Sequence, residues 1–166
     1  MGDPFDVVYS AFNMKDIAER AGVAATSLYR RWGDVRVLIM EVAVERLTEQ
    51  YPLPDTGALE QDLRAWARFM ARGLNSQEGS SFFQAFIATA LPLGSSAAAR
   101  AAALKPRVVQ LEAMLDRAKA RGEPSPSVDD VVDMLLAPLY TRTLFGMPTD
   151  ETLADRLVKR LLSECS

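Results

Sequence analysis

The spacing of apolar residues predicts helices along nearly the whole chain, and two short ones meet in the N-terminal quarter. In the first, Ile17, Ala18 and Ala21 share one face, and Asn13 is placed to cap its start. Gly22 can take the positive φ that ends it. The second runs from about residue 24 or 25 to Trp32. The pattern therefore predicts a helix-turn-helix, two helices joined by a tight turn.

The second of these helices has an apolar inner side and a polar outer side. Leu28 and Trp32 face inward, and Val23, just ahead of the helix, is expected to be a further apolar contact with the first helix. The outer positions carry methyl, hydroxyl, phenol and guanidinium groups: Ala25, Thr26, Ser27, Tyr29 and Arg30. Such a surface is typical of a helix that enters the major groove of DNA.

The rest of the chain also has helical spacing. Asp34 is predicted to cap a longer helix from Val35 to about Gln50, and the PLPDTG segment after it is the best domain boundary. We therefore expect domains at 1–50 and 51–166. Further helices are predicted over 58–74, 82–91 and 96–121, the last with a kink or break at Pro106. Two more are predicted over 127–146, capped by Ser127 or Asp129, and from a Thr149 cap to the C-terminus. No strand alternation occurs, which favours an all-α fold.

The last two predicted helices carry an unusual amount of apolar surface. The first is apolar nearly all round between residues 128 and 145, and the second has a leucine and valine stripe between residues 153 and 162. Apolar surface on this scale suggests burial against a second copy of the chain, so we expect a homodimer through these two helices. The alternative is that both helices form the core of a monomer.

Composition and charge narrow the function classes. The 166 residues are 49% hydrophobic and 25% charged, with a net charge of −3 (19 minus 22), which argues against a broadly basic surface. Residues 20–36 nevertheless carry a local charge of about +3, enough for phosphate contacts. No apolar run reaches the roughly 18 residues of a membrane helix, and the acidic start is unlike a secretory signal. We therefore expect a cytoplasmic protein with no membrane association.

The sequence has no histidine and one cysteine, Cys165, next to the C-terminus. This excludes an internal disulfide and the usual Cys/His metal and catalytic sets. An all-helical enzyme ranks lowest among the functions considered, because Asp129 and Asp130 have the positions of first-turn capping charges. We expect no catalytic residue, no metal and no cofactor.

The stretch DIAERAGVAATSLYRRW, with the following GDVRVLIMEV, resembles the TetR-type transcriptional regulators. The resemblance rests on the Asp-Ile-Ala start, the Ala-Gly-Val turn, the Leu-Tyr pair, the aromatic Trp32 and Leu38. A weaker match, DRAKARGEPSPSVDDVVDMLLAPLYTRTLFGMPTDETLADRLVKRLL, is similar to the final helices of one C-terminal subgroup. Three features depart from the family pattern. The first helix, FDVVYSAFN, is short, and Val35 stands where lysine is usual. Ala24 replaces a frequent capping serine, which should destabilise the start of the following helix by roughly 1 kcal/mol.

The resemblance implies an N-terminal three-helix DNA-binding domain and a C-terminal helical domain for ligand binding and dimerisation. It implies a repressor that binds double-stranded, palindromic operator DNA as a dimer and responds to a small apolar effector. The expected DNA contacts are Lys15, Ala25, Thr26, Ser27, Tyr29, Arg30, Arg31 and Arg36. The expected effector contacts are Trp66, Phe69, Met70, Phe83, Phe86, Met114, Met134 and Tyr140.

Two alternatives stay open. Each expected DNA contact could be an ordinary solvated side chain, and each expected effector contact could be plain core, as most aromatic and methionine side chains at helical spacing are. The short first helix and Val35 also suit a helical small-molecule-binding or interaction dimer that does not bind DNA. Salt-dependent DNA binding would separate that function from a regulator.

Overall fold

The computed structural model describes residues 13–50, 52–77, 79–80, 83, 87 and 97–165. The short helix predicted over 5–12 lies outside these residues, as does most of the one predicted over 82–91. The described chain contains helices and turns but no strand, so the all-α prediction is confirmed. The helices are α1 (Met14–Ala21), α2 (Ala25–Trp32), α3 (Val35–Gln50), α4 (Leu59–Asn75), α5 (Ala97–Ala120), α6 (Val128–Val131), a π-helical segment (Val132–Leu136), α7 (Ala137–Leu144) and α8 (Glu151–Ser163).

The turn between α1 and α2 forms as the sequence predicts. Asn13 caps α1, its side-chain oxygen accepting a hydrogen bond from the Asp16 amide at 2.9 Å. Gly22 has φ 66° and donates to the Glu19 carbonyl, while the Val23 amide donates to the Ala18 carbonyl at 3.0 Å. This pair of bonds is the Schellman arrangement that ends a helix and redirects the chain.

A small core holds α1, α2 and the start of α3 together. Its buried members are Met14, Ala18, Leu28 and Leu38, and its partly buried members are Ile17, Ala25, Trp32 and Val35. The packing of Val35 against this core gives a reason for an apolar residue at that position. The expectation for Val23 was wrong: this residue is 47% exposed and is not a member of the small core.

A larger core joins α4, the C-terminal part of α5, the continuous helical stretch from α6 through the π-helical segment to α7, and α8. We call that continuous stretch the rod. Helices α4 and α8 pack side by side, and Arg68 on α4 makes a two-pronged ion pair with Asp155 on α8, at 2.7 and 2.6 Å. The stripe on α8 is buried in this core of the same protomer. The buried stripe of α8 therefore does not require a second copy, and the homodimer through the last two helices stays a prediction.

Three further details differ from the prediction. Pro106 lies inside α5 and does not divide it, since α5 continues through this residue as one helix; of the predicted kink or break, the break is therefore wrong. Asp150, not Thr149, caps α8, its carboxylate accepting from the Leu153 amide at 2.8 Å; Thr149 is buried and donates to the Met147 carbonyl instead. The rod beginning at Val128 contains a π-helical segment that the sequence did not signal. Its predicted Ser127 cap is confirmed, as a reciprocal capping box with Asp130.

No helix in the described ranges is both long and apolar enough to cross a lipid bilayer.

Candidate nucleic-acid interface and effector core

Helix α2 presents one polar, solvent-exposed surface. Leu28 is its only fully buried residue, and Thr26, Ser27, Tyr29 and Arg30 are all exposed. Thr26 lies three and four residues before Tyr29 and Arg30, and Ser27 lies three residues before Arg30, so these side chains form one continuous patch. Hydroxyl, phenol and guanidinium groups on one short helix can hydrogen-bond to base edges and to phosphates. We name this patch the reading face.

Ala25 does not belong to the reading face in the way the sequence suggested. Its side chain is partly buried and packs against the small core. The reason is its spacing, because Ala25 and Leu28 are three residues apart and share one side of α2. The start of α2 also lacks a side-chain cap, since Ala24 has no group that could accept from the first-turn amides.

The expected phosphate contacts differ in how their charges are compensated. Within the described chain, Lys15 and Arg30 are exposed and have no ion pair. Arg31 is also exposed, with 67% of its side chain accessible, but its guanidinium lies 3.1 Å from a Glu41 carboxylate oxygen and 4.5 Å from the Trp32 ring centre. Lys15 and Arg30 therefore carry the least compensated charge of these residues.

Arg36 is held by Asp34 at the start of α3. Its guanidinium donates to both carboxylate oxygens, at 3.0 and 2.6 Å, and its amide donates to the same carboxylate at 2.8 Å. Asp34 therefore caps α3 as predicted, and these hydrogen bonds, with the Arg36 charge, keep the pKa of Asp34 below its ordinary value despite partial burial. A partly exposed pair of this kind is worth only about 0–1 kcal/mol, so a DNA phosphate can compete for Arg36.

Glu41 on α3 ties the end of α2 in place, and the sequence did not indicate it. One of its oxygens accepts from the Trp32 indole N–H at 2.9 Å, and the other pairs with Arg31. The three residues also border a cleft of about 740 Å³ between α3 and α5. The cleft is lined by Arg31, Trp32, Val37, Glu41, Val44, Glu45, Thr48, Glu49, Ala102 and Pro106.

Most of the expected effector contacts do come together, in the larger core. Trp66, Met70, Phe83 and Met114 are buried there, and Met134 and Tyr140 pack against them. The rings of Phe83 and Tyr140 stack, with centres 4.8 Å apart and planes 20° from parallel. Phe69 lies on the outer side of α4, largely exposed, with the Arg72 guanidinium 5.8 Å from its ring centre. Phe86 lies outside the described residues.

A second cleft, of about 510 Å³, opens at the end of α4 beside the loop between α7 and α8. It is lined mainly by polar groups and contains none of the expected effector contacts: Leu74, Asn75, Ser76, Gln77, Ser80, Thr143, Gly146, Met147, Pro148, Thr149 and Asp150. In the described ranges, no three acidic or cysteine side chains are placed to hold a metal ion.

One cation in the larger core was not anticipated. Arg107, directly after Pro106, places its guanidinium over the Trp66 ring, 5.0 Å from the ring centre. It donates to Gln110 at 3.0 Å, and burial lowers its pKa while interaction with Tyr140 raises it. The sequence shows Arg107 only as one charge on a helix, so nothing local marked it as a core residue.

Comparison with known proteins agrees with this architecture. The model of the tetR family of bacterial regulatory proteins matches residues 9–42, and the tetracyclin repressor-like C-terminal domain matches residues 53–161. The HTH-type transcriptional regulator YdeS of Bacillus subtilis, described as uncharacterised, is 29% identical, with 93% of this chain and 77% of the relative covered.

Two further relatives carry similar descriptions. The HTH-type transcriptional regulator AqdR of Rhodococcus erythropolis is 28% identical, covering 89% of this chain and 72% of the relative. The DNA-binding transcriptional repressor TetR of Mycobacteroides abscessus is 29% identical, covering 93% of this chain and 83% of the relative. Members of the family they share are DNA-binding transcription factors that dimerise and are not enzymes. From its helix-turn-helix through its C-terminal helices, the chain belongs to the TetR family of bacterial transcriptional regulators.

Proposed function

We propose that the protein is a ligand-responsive transcriptional repressor that binds a palindromic operator as a homodimer. The reading face carries the proposal, because Thr26, Ser27, Tyr29 and Arg30 are exposed together on a helix that the small core holds rigidly. In this proposal, residues 1–50 form the DNA-binding domain and residues 51–166 the domain for effector binding and dimerisation.

The side chains of the reading face fall into two groups, according to the parts of the DNA that they would contact. Thr26 and Ser27, near the start of α2, meet base edges, since a hydroxyl serves either donor or acceptor groups and a threonine methyl fits thymine. Tyr29 and Arg30 reach the backbone phosphates or a guanine at the rim of the groove. Lys15, Arg31 and Arg36 add phosphate contacts. Partly buried Ala25 contributes a methyl at the edge of this surface.

The dimer is proposed through the last two helices, chiefly the rod from α6 to α7. Its outer side exposes Val132, Leu144 and Phe145, the last of them 73% exposed, and Met147 follows in the loop. The buried stripe of α8 leaves that helix to contribute mostly polar residues at the edge of the interface. A stable dimer would cover this surface and bury roughly 1,200–2,000 Å² in total. The two copies of α2 in the dimer would lie about 34–36 Å apart, or a multiple of that distance, on an operator with two-fold symmetry.

The operator test uses the purified chain and a random duplex library. Selection should enrich a palindrome, and Arg30→Ala should weaken binding to it, because the variant removes an uncompensated cation from the reading face. Lys119→Ala, an exposed cation on α5, is the matched control and should leave affinity unchanged. Binding with no sequence preference over competitor DNA, or equal loss of affinity in both variants, would overturn the repressor proposal and favour the interaction dimer.

The dimer test compares two exposed aromatic residues. Phe145→Ser should shift the protein from dimer to monomer in sedimentation experiments, because it places a polar group at the most exposed apolar residue of the proposed interface. Phe69→Ser makes the same change on the outer side of α4 and should leave the dimer intact. A dimer that survives Phe145→Ser at the same concentration would rule out this face.

A further inference from the structure

The buried indole of Trp66 has an unused hydrogen-bond donor. The side chain is 1% exposed, and its Nε1 atom has no acceptor in the part of the chain that the structure describes. Buried N–H groups are nearly always paired, since losing water without gaining a partner is unfavourable. The other tryptophan follows that rule, because the indole of Trp32 donates to Glu41. The Trp66 donor therefore points to an acceptor supplied from outside the described chain.

An uncompensated cation lies against the same ring. Arg107 stacks over Trp66, and its one hydrogen-bond acceptor in the described chain is the neutral side-chain oxygen of Gln110. Two carboxylates on neighbouring helices are engaged elsewhere: Asp62 accepts from Thr56, and Asp155 pairs with Arg68. Arg107 is half-buried, and a charge that loses part of its water is normally paired with an opposite charge. A water molecule could accept from the indole, but it could not balance the guanidinium.

We propose that the effector is an aromatic anion, a flat apolar ring system carrying one carboxylate-type group, and that Arg107 binds this group with help from the Trp66 N–H. The inference rests on the proposed effector response of this same core. The planar guanidinium suits two-pronged binding of a carboxylate. The stacked rings of Phe83 and Tyr140 provide an aromatic surface for the ring system.

This chemistry sharpens the expectation of an apolar effector. The surrounding methionines and aromatic rings still favour an apolar body. The anionic group supplies the specificity, because an effector without it would leave the Trp66 N–H without an acceptor and the Arg107 charge unbalanced. A cationic effector would meet repulsion from Arg107 and find no carboxylate partner there.

The test uses a matched pair of probes, 1-naphthoate and its neutral counterpart 1-naphthamide, with the full chain. The chain has two tryptophans, so a nitrogen-15 spectrum contains two indole signals. Glu41→Gln shifts the Trp32 signal and thereby identifies both. We expect 1-naphthoate to bind about tenfold or more tightly than 1-naphthamide. We also expect it to move the Trp66 indole proton downfield, while the Trp32 signal moves much less.

Variants locate the anion. Arg107→Gln should remove the preference for 1-naphthoate, and Arg107→Lys should retain part of it because the charge remains. Lys119→Gln, on the exposed side of α5, should change nothing. Titration calorimetry measures the affinity of each variant for the two probes. The thermal denaturation midpoint of each variant shows whether it is folded.

The proposal would be overturned by equal binding of the two probes, by a preference that survives Arg107→Gln, or by a Trp66 indole signal that does not move. Failure of both probes to bind would overturn it as well. Binding of the chain alone to the selected operator is measured in parallel. A chain that binds its operator but shows no anion preference loses this inference and keeps its proposed role as a DNA-binding repressor, whereas a chain that binds the anion but no operator loses that role.

Discussion

Glu41 is the residue whose substitution should most directly destabilise α2, the helix that carries the reading face. Its carboxylate accepts from the partly buried Trp32 indole at 2.9 Å and from the exposed Arg31 guanidinium at 3.1 Å. Glu41→Ala removes both acceptors. Glu41→Gln leaves a carboxamide oxygen that can still accept from the indole, but it removes the charge that pairs with Arg31.

The two contacts differ in their contribution to stability. A hydrogen bond between a partly buried donor and a charged acceptor contributes roughly 1.5–3 kcal/mol. The exposed ion pair contributes about 0–1 kcal/mol, since solvent screens it. We therefore expect Glu41→Ala to lower the free energy of unfolding of the N-terminal domain by about 2 kcal/mol and Glu41→Gln by about 1 kcal/mol or less.

Urea denaturation followed by tryptophan fluorescence measures the stability, and hydrogen exchange over residues 25–32 shows whether α2 is the part that opens. DNA affinity should fall in Glu41→Ala together with the protection of α2. The reasoning would be refuted if Glu41→Ala stayed within about 0.5 kcal/mol of the unmodified protein, the range of ordinary surface changes. It would equally be refuted if Glu41→Gln were as destabilising as Glu41→Ala.

Three further perturbations have definite outcomes. Arg30→Ala should make the slope of log K against log salt for duplex DNA shallower by about 0.9 for each phosphate that the variant no longer neutralises, and Arg31→Ala should change it less, because that charge is already paired. Asp155→Asn should cost about 1 kcal/mol in thermal denaturation. Because hydrogen bonding from Arg68 and then its charge lower the pKa of Asp155, this difference should be full above the unfolded-state pKa of about 3.9 and vanish as pH falls through the lower folded-state value. Gly22→Ala should cost roughly 1 kcal/mol of unfolding free energy from its φ of 66° alone, since an added Cβ meets no atom within 4 Å; an unchanged denaturation midpoint would contradict this.

Features that depend on neighbouring residues could be predicted from the sequence. The Asn13 cap, the Gly22 turn and the Ser127 cap all form as expected. Each is set by bonds between residues within about five positions, so the local pattern contains the necessary information. The exposed side of α2 followed for the same reason, because helical periodicity alone assigns its inner and outer positions.

Features that depend on which helices meet could not be predicted. Glu41 reaches Trp32 across two helices, and Arg107 reaches Trp66 from another part of the chain. Neither partner is marked by spacing or by a motif, since the contact exists only after the helices pack. The place where the α8 stripe is buried could not be predicted either, because an apolar stripe does not say whether its partner belongs to the same chain.

Helix α5 joins these two sets of contacts, and Pro106 lies between them. On one side, Ala102 and Pro106 border the cleft against α3, which carries Glu41; on the other, Arg107 lies on Trp66. Proline has no N–H, so α5 lacks a backbone hydrogen bond at this point and bends there more easily. An effector held by Arg107 would move the α3 contact if it favours one bend over another, and it would change nothing without that difference.

Pro106→Ala tests this coupling, because alanine restores the N–H and stiffens α5. We expect the variant to bind 1-naphthoate and operator DNA separately about as well as the unmodified chain. The loss of DNA affinity caused by saturating 1-naphthoate should shrink, since the two binding events are linked through one helix. DNA titrations with and without 1-naphthoate measure, for both proteins, the ratio of the DNA affinity without the probe to the DNA affinity with it. An unchanged ratio would show that the effector reaches the reading face by a route that does not depend on flexibility at Pro106.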